Sequence, residues 1–205
     1  MPIKLIIFDF GGVIINLDRE ACVRRYQHLG ITNADSLLDN YMQSGVFLAL
    51  EKGDISIDEF HNEIRRISGR NISDKDIDDA FRAFLLDIPK RRMDKIAELK
   101  NQYRIVLLSN TNILHFPMET GKLVNSDYEI CDYFDHCYLS FRMHLSKPDK
   151  AIFEALLRNE KIKPQECLYL DDGEKNIETA RNLGFNCYYV KDEDWVDKID
   201  LYLNQ

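Results

Sequence analysis

Polar side chains follow three of the short apolar runs in this sequence, and they are of types that bind phosphate and metal ions. One run stops at an aspartate, another at a serine and an asparagine, and a third at a pair of aspartates. A lysine lies in a loop between the last two runs. The candidate site residues are Asp9, Ser109, Asn110, Lys147, Asp171 and Asp172.

The elements that must position these residues are the strands of a parallel sheet, because short apolar runs alternate with helical periodicity along the chain. Strands are predicted at residues 3–8, 104–108, 136–140, 167–170 and 187–190. Helices are predicted at residues 89–100, 149–159, 174–183 and 194–202. The predicted fold class is therefore α/β, a Rossmann-like, doubly wound, parallel five-stranded sheet.

The carboxyl ends of parallel strands open onto one crevice, so the candidate residues are expected to meet there. Carboxylates brought that close repel each other. A hard divalent cation such as Mg²⁺, which uses one or two protein carboxylates together with water and substrate phosphate, relieves the repulsion. Lys147 and the polar groups of Ser109 and Asn110 would hold the remaining phosphate oxygens. The sequence predicts a magnesium and phosphate site.

The chain between Asp9 and Ser109 is too long for one crossover, because 100 residues separate them where a βαβ unit takes about 30. Apolar stripes at helical spacing predict four helices there, over residues 22–29, 37–42, 60–67 and 77–85. Ser56 with Glu59 and Ser73 with Asp76 mark two helix starts. We predict a helical-bundle cap domain, residues 17–89, that lies as a lid over a core domain of residues 1–16 and 90–205.

Composition excludes several classes of function. The 205 residues carry a formal net charge of −8 and no basic cluster, so we expect no nucleic-acid partner. No apolar run approaches the ~18 residues of a membrane helix, and we expect a cytoplasmic protein with no membrane partner, a monomer being favoured. Five scattered cysteines without metal-type spacing are expected to be reduced and mostly buried.

Four motifs in this order resemble those of the haloacid dehalogenase superfamily, most of whose members are Mg²⁺-dependent phosphatases. They are FDFGGVI at 8–14, LLSNTN at 107–112, SKPD at 146–149 and YLDDGEKNI at 169–177, followed by Ala180. A helical insertion directly after the first motif resembles the cap of the subclass that contains β-phosphoglucomutase and the sugar-1-phosphate phosphatases.

The resemblance implies a role for each matching residue. Asp9 would be the nucleophile that forms an aspartyl phosphate, and Ser109 and Asn110 would bind the transferring phosphoryl group. Lys147 would balance the charge on that group and on Asp9. The Mg²⁺ ligands would be Asp9, the backbone carbonyl of Gly11, Asp172 and, in support, Asp171. The implied substrate is a small phosphorylated metabolite, such as a sugar phosphate.

Gly11 departs from the pattern of the family's phosphatases, which usually have a second aspartate there to protonate the leaving oxygen and later activate water. Some family phosphatases, resembling the glucose-1-phosphate group, also lack it, which implies that another group or a bound water can substitute. Such a general acid–base contributes typically 10²–10⁴-fold. Two alternatives to a phosphatase therefore stay open: a catalytically weak relative that binds a phosphorylated metabolite or a partner protein, and a haloacid dehalogenase, which needs no such acid but leaves the aspartate pair unexplained.

Each candidate also has a purely structural interpretation. Asp9 could shape a turn, Lys147 could be solvated, and one aspartate of the pair 171–172 could cap the following helix. Asn176 is interpreted as a solvated or locally bonded helix residue. No histidine pair has the i, i+4 spacing of a helical metal site, and His115 is interpreted as a packing or surface residue although it follows the second motif.

Overall fold

The strands form one parallel sheet in a computed structural model, which describes residues 1–39, 43–116, 129–191 and 195–203. The order across the sheet is β3-β2-β1-β4-β5, and every neighbouring pair is parallel. The observed bounds lie within two residues of the predicted ones. The strands are β1 (Leu5–Phe8), β2 (Arg104–Ser109), β3 (His136–Leu139), β4 (Cys167–Asp171) and β5 (Asn186–Tyr189).

Eleven α-helices occur in the described residues, and a short 3₁₀ helix, Pro164–Glu166, precedes β4. The helices are α1 (Arg19–His28), α2 (Ala34–Leu37), α3 (Gly45–Glu51), α4 (Ile57–Ser68), α5 (Asp74–Arg82), α6 (Lys90–Leu99), α7 (Ile130–Tyr133), α8 (Ser140–Met143), α9 (Lys150–Glu160), α10 (Glu174–Asn182) and α11 (Trp195–Leu203).

Helices cover both faces of the sheet, as the doubly wound prediction requires. Side chains alternate along β1, so Ile6 and Phe8 pack in one cluster with α6 and α11. Leu5 and Ile7 pack on the opposite face with α9 and α10. All four side chains of β1 are fully buried, which is why this strand is an unbroken apolar run. The predicted fold class is confirmed.

Helices α1 to α5 surround a separate hydrophobic cluster with an aromatic centre. The ring centroid of Phe47 lies 5.0 Å from that of Tyr26 and 5.2 Å from that of Phe81, and both pairs have edge-to-face geometry. Helix α4 begins with the predicted capping box between Ser56 and Glu59. At α5 the Ser73 side chain accepts from the backbone of Asp76, while the Asp76 carboxylate bonds only the Ser73 hydroxyl.

The predicted helix over residues 37–42 is wrong. Helix α2 ends at Leu37, and Leu38 is extended because its carbonyl accepts a 2.7 Å hydrogen bond from the Arg19 guanidinium. The remainder of that predicted helix, residues 40–42, lies outside the described residues. Helix α3 was not predicted, since Gly45 looked like a helix stop and is instead its first residue, at φ +58°. The insertion therefore has five described helices where four were expected.

The division between core and cap at residues 16/17 and 89/90 stays a prediction. The two hydrophobic clusters follow this division except at three residues near the boundary between the two parts. Leu85 and Ile88, which that division assigns to the cap, pack in the cluster on the sheet. Leu114, assigned to the core, packs in the cluster of the inserted helices. The two parts interlock along this seam.

None of the five cysteines forms a disulfide, but the expectation that they are mostly buried is wrong. Only Cys22 and Cys167 are buried, since Cys137 and Cys187 belong to the two edge strands and Cys131 has an exposed position on the one-turn helix α7. Among the described helices, none has the length and apolar character needed to cross a membrane.

Candidate functional site

Asp9 stands at the carboxyl end of β1, in the middle of the sheet, where the backbone holds it from two sides. Its own N–H donates to the carbonyl of Leu170 on β4, at 2.9 Å. The N–H of Phe10 donates to Asp9 Oδ1, at 2.7 Å. The side chain is buried. Asp9 is therefore held in one orientation before any ligand binds.

Lys147 joins Asp9 to Asp171. Its Nζ lies 2.7 Å from Asp9 Oδ1 and 2.7 Å from Asp171 Oδ2, and the lysine is only 2% exposed. Burial by itself lowers the pKa of Lys147, but the charges of Asp171 and Asp9 outweigh it and raise the pKa above its ordinary value. Lys147 is thus a permanent positive charge within the site, not the solvated lysine of the structural interpretation.

The Asn110 side chain fixes the backbone that carries this lysine. Asn110 Nδ2 donates to the carbonyl of Lys147 at 2.9 Å, and the N–H of Lys147 donates to Asn110 Oδ1 at 2.8 Å. The two bonds bridge 37 residues of sequence. Asn110 therefore has a positioning role that sequence reasoning missed, in addition to the predicted contact with a phosphoryl group.

Asp171 is fully buried, and both of its oxygens accept hydrogen bonds. Oδ1 accepts from the Gly173 N–H at 2.7 Å and from Asn176 Nδ2 at 2.9 Å. Oδ2 accepts from Lys147 and from the hydroxyl of Tyr169. This confirms the interpretation of Asn176 as a locally bonded residue. Asp171 mainly orients Lys147, whereas its neighbour Asp172 keeps a partly exposed carboxylate.

Gly12 makes room for Asp172. It has φ +70°, and a Cβ built on it would lie 2.0 Å from Asp172 Oδ2. Only glycine satisfies both conditions. Gly11 is different: its φ is not in the left-handed region, and a Cβ there would meet only the Leu17 side chain, 3.1 Å away. The backbone at Gly11 therefore permits a side chain.

The three aspartates fit a divalent cation. One carboxylate oxygen from each of Asp9, Asp171 and Asp172 lies within 4.8 Å of the others. Because the Asp171 oxygens already accept hydrogen bonds, Asp171 would support the cation and not be its main ligand. Lys147 balances one of the three formal charges and leaves two in excess. Burial first, and then the charge of Asp171, raises the pKa of Asp172 to about 7, against the opposing effect of Lys147. Burial likewise raises the pKa of Asp9. A hard cation bound among the oxygens would remove this cost of crowding.

Side chains of the core and of the inserted helices line one cavity above these aspartates. Ser109, Asn110 and Gly11 line it from the core, and Gln43, Phe81 and Phe84 line it from the inserted segment. Ser109 is 1% exposed, and among the described residues its hydroxyl has a single long contact, 3.4 Å to the Asn110 carbonyl. The structure thus brings all the predicted site residues to one place, and the inserted helices lie over it.

Two polar residues of this region escaped sequence reasoning. Ser140, at the start of α8, accepts from the Thr111 N–H at 2.9 Å and contacts the Glu51 carbonyl at 2.7 Å. Glu51, the last residue of α3, lines the cavity and is 6% exposed. A glutamate at a helix end usually lies in water, so no local signal distinguished this one.

His115 also lines the cavity, but it is committed to packing. Its Nε2–H donates to the Phe81 carbonyl at 3.0 Å, which makes Nδ1 the acceptor for Asn112 Nδ2, at 3.3 Å. Burial lowers the pKa of His115 to about 4, so the ring is neutral at physiological pH. The buried ring with both nitrogens bonded fits the interpretation of His115 as a packing residue, although the ring also lines the cavity.

Comparisons with known proteins identify relatives of this chain. The family model for haloacid dehalogenase-like hydrolases matches residues 3–184. A D-ribitol-5-phosphate phosphatase of Bacteroides thetaiotaomicron is 35% identical over 204 residues, 98% of this chain and 99% of that protein. A crystal structure of a haloacid dehalogenase family enzyme from the same organism, in complex with magnesium and inorganic phosphate, superposes with a TM-score of 0.83 at 38% identity, covering 92% of this chain and 94% of the other.

A further solved structure, of a predicted haloacid dehalogenase-like hydrolase from Porphyromonas gingivalis, covers both chains completely with a TM-score of 0.91 and 35% identity. The fold and these matches therefore define an α/β hydrolase with a helical insertion after its first strand. The chain belongs to the haloacid dehalogenase-like hydrolase family, as its four motifs indicated.

Proposed function

We propose that the protein is a Mg²⁺-dependent phosphatase that hydrolyses a small phosphate monoester, a sugar or polyol phosphate, through an aspartyl phosphate on Asp9. The observation that carries the proposal is the buried group of Asp9, Lys147 and Asp171, with Asp172 beside it. The similarity to a D-ribitol-5-phosphate phosphatase over 98% of the chain supports the substrate class.

In this mechanism Asp9 attacks phosphorus and the bond to the leaving oxygen breaks. Because the Phe10 N–H and Lys147 hold the carboxylate in place, little reorganisation is needed when the substrate binds. Lys147, Ser109 and Asn110 stabilise the transferring phosphoryl oxygens, and one such preorganised donor is worth about 10²–10³-fold. Mg²⁺, held by Asp9, Asp172 and the Gly11 carbonyl with Asp171 in support, would supply further positive charge to that group.

Gly11 supports a second candidate, a catalytically weak relative that binds a phosphorylated metabolite or a partner protein. A dehalogenase remains the third, although it would leave the cluster of three carboxylates without a purpose. Turnover of 4-nitrophenyl phosphate with and without Mg²⁺, followed by a panel of sugar and polyol phosphates including D-ribitol 5-phosphate, separates the phosphatase from both other candidates.

We expect turnover that a chelator abolishes and that Mg²⁺ restores. Asp9→Asn is the matched control, since an amide cannot form the acyl phosphate but has almost the same shape. Circular dichroism of the same preparation checks the fold. Absence of turnover on every phosphate, or more than a thousandth of the parent rate in Asp9→Asn, would contradict the proposal.

A further inference from the structure

The cavity lacks a general acid at Gly11, so another group must protonate the leaving oxygen if alkyl phosphates are substrates. Lys147 is tied to two carboxylates, and both ring nitrogens of His115 are occupied. Asp9 and Asp172 are assigned to the nucleophile and the cation. Among the described cavity residues, Glu51 is the acid that these assignments do not use.

The Glu51 carboxyl is buried and incompletely bonded. Its Oε1 is one of two buried side-chain polar atoms without a hydrogen-bond partner in the described part of the chain. A buried oxygen without a hydrogen-bond partner destabilises the folded state. A ligand that supplies the missing partner is one reason for such a group, and the cavity that Glu51 lines also contains Asp9.

The end of α3 is docked on the core, which holds Glu51 in place. The Ser140 hydroxyl lies 2.7 Å from the Glu51 carbonyl, and the His144 ring bonds the Lys52 carbonyl at 3.1 Å. Gly53, at φ +69°, approaches so closely that a Cβ on it would lie 2.2 Å from the Phe141 carbonyl oxygen. The three contacts fix the helix end against α8, beside the end of β3.

Burial of Glu51, partly offset by two nearby lysines, moves the pKa of its carboxyl toward neutrality. Burial raises the pKa of Glu51 to about 8, while Lys147 and Lys52 act in the opposite direction. The other ionisable groups that line the cavity are Asp9, Asp172 and His115, and the His115 ring is neutral. Glu51 is thus suited to begin the reaction protonated.

We propose that Glu51 is the general acid and base of this enzyme, in place of the side chain that Gly11 lacks. This inference rests on the proposed phosphatase function. As the Asp9 carboxylate bonds to phosphorus, the phosphorus–oxygen bond of the ester breaks, and the leaving oxygen takes the Glu51 proton and departs as an alcohol. The Glu51 carboxylate then takes a proton from a water molecule while the oxygen of that water attacks phosphorus. The phosphorus–Asp9 bond breaks, which releases inorganic phosphate and restores both carboxyl groups.

The test uses Glu51→Gln with two substrates that carry no hydroxyl for a cavity residue to recognise. Propyl phosphate has a leaving oxygen that needs a proton, whereas 4-nitrophenyl phosphate leaves without one. We expect Glu51→Gln to lower the steady-state rate for propyl phosphate by about 10²–10⁴-fold. With 4-nitrophenyl phosphate it should release about one equivalent of nitrophenolate per site at a near-parental rate and then turn over slowly, because only water activation is impaired.

Three controls make the outcome decisive. Glu63→Gln removes a more exposed glutamate of the inserted helices, paired with Arg66, and should match the parent. Glu51→Asp keeps an acid and should retain more propyl phosphate turnover than Glu51→Gln. The parental pH profile for propyl phosphate should fall above about pH 8, and this limb should be absent from Glu51→Gln.

A propyl phosphate rate in folded Glu51→Gln within tenfold of the parent would overturn the inference. So would equal loss of the nitrophenolate burst and of steady-state turnover, since that pattern indicates a positioning role. An inactive parent protein would instead contradict the proposed phosphatase function, which keeps the two failures distinguishable.

Discussion

Replacing Glu51 by glutamine should stabilise the protein at alkaline pH, with a dependence set by one buried carboxyl. The folded state holds the Glu51 proton up to a pKa of about 8, whereas the unfolded chain releases it near 4.5. Between these values the folded state binds more protons, so the parent loses stability as pH rises, by about 1.4 kcal/mol per unit. The full difference of about 5 kcal/mol is reached above pH 8.

Glutamine has nearly the same shape and never ionises, so the difference between variant and parent isolates this group. Urea unfolding followed by circular dichroism, without Mg²⁺ or phosphate, gives the free energy of unfolding of both proteins from pH 5 to pH 9. We expect the free energy of unfolding of Glu51→Gln to exceed that of the parent by little at pH 5. This difference should rise by roughly 3 kcal/mol up to pH 7 and level off above pH 8. A difference that does not change with pH would show that Glu51 ionises as it does in water, and would refute the reasoning.

Three further predictions concern other groups of the site. Asp172→Ala should raise the Mg²⁺ concentration needed for activity with little loss of stability. Asp171→Ala should instead lower the free energy of unfolding by about 3–5 kcal/mol, because it removes a partner of the buried Lys147 ammonium. Mg²⁺ titrations and urea unfolding of both variants test this, and equal effects of the two substitutions would contradict it. The free energy of unfolding should fall by about 3 kcal/mol through His115 as pH falls from 6.5 to 4, because the pKa of His115 is lowered to about 4 and the folded state binds its proton less readily than the unfolded chain. Urea unfolding at a series of pH values should show that His115→Gln lacks this contribution. Gly11→Asp should fold with a melting temperature near the parent, because its backbone is not left-handed and only the Leu17 side chain must move; a large drop would show that the turn does not accept a side chain.

Much of the core was predictable because the signals there are local. An apolar run of the length of β1, followed by a polar residue and two glycines, predicts a buried strand and a turn wherever it occurs. The rule that parallel strands end at one crevice then brings Asp9, Ser109 and Asp171 together without any knowledge of distances. The capping box at Ser56 is equally local, since its two partners are three residues apart.

The inserted segment was less predictable because its burial depends on neighbours distant in sequence. The Arg19 guanidinium donates a hydrogen bond to the Leu38 carbonyl just after the end of α2. The two residues are 19 positions apart, so no local sequence pattern shows this bond. Helix α3 has apolar residues on most of its surface, so its periodicity is weak, and it buries Val46, Phe47 and Leu50 only because other helices surround it.

Residue types and motif order by themselves determined the sheet, its polar edge and the family, because strand ends and tight turns are encoded by neighbouring residues. Only the tertiary structure decided how those groups are used. It tied Asn110 to the Lys147 backbone across 37 residues and saturated Asp171 with hydrogen bonds. It also docked α3 through Ser140, 89 residues away, which buries Glu51 in the cavity. The environment of a titratable group is a property of everything packed around it, and the sequence near Glu51 contains almost none of those neighbours.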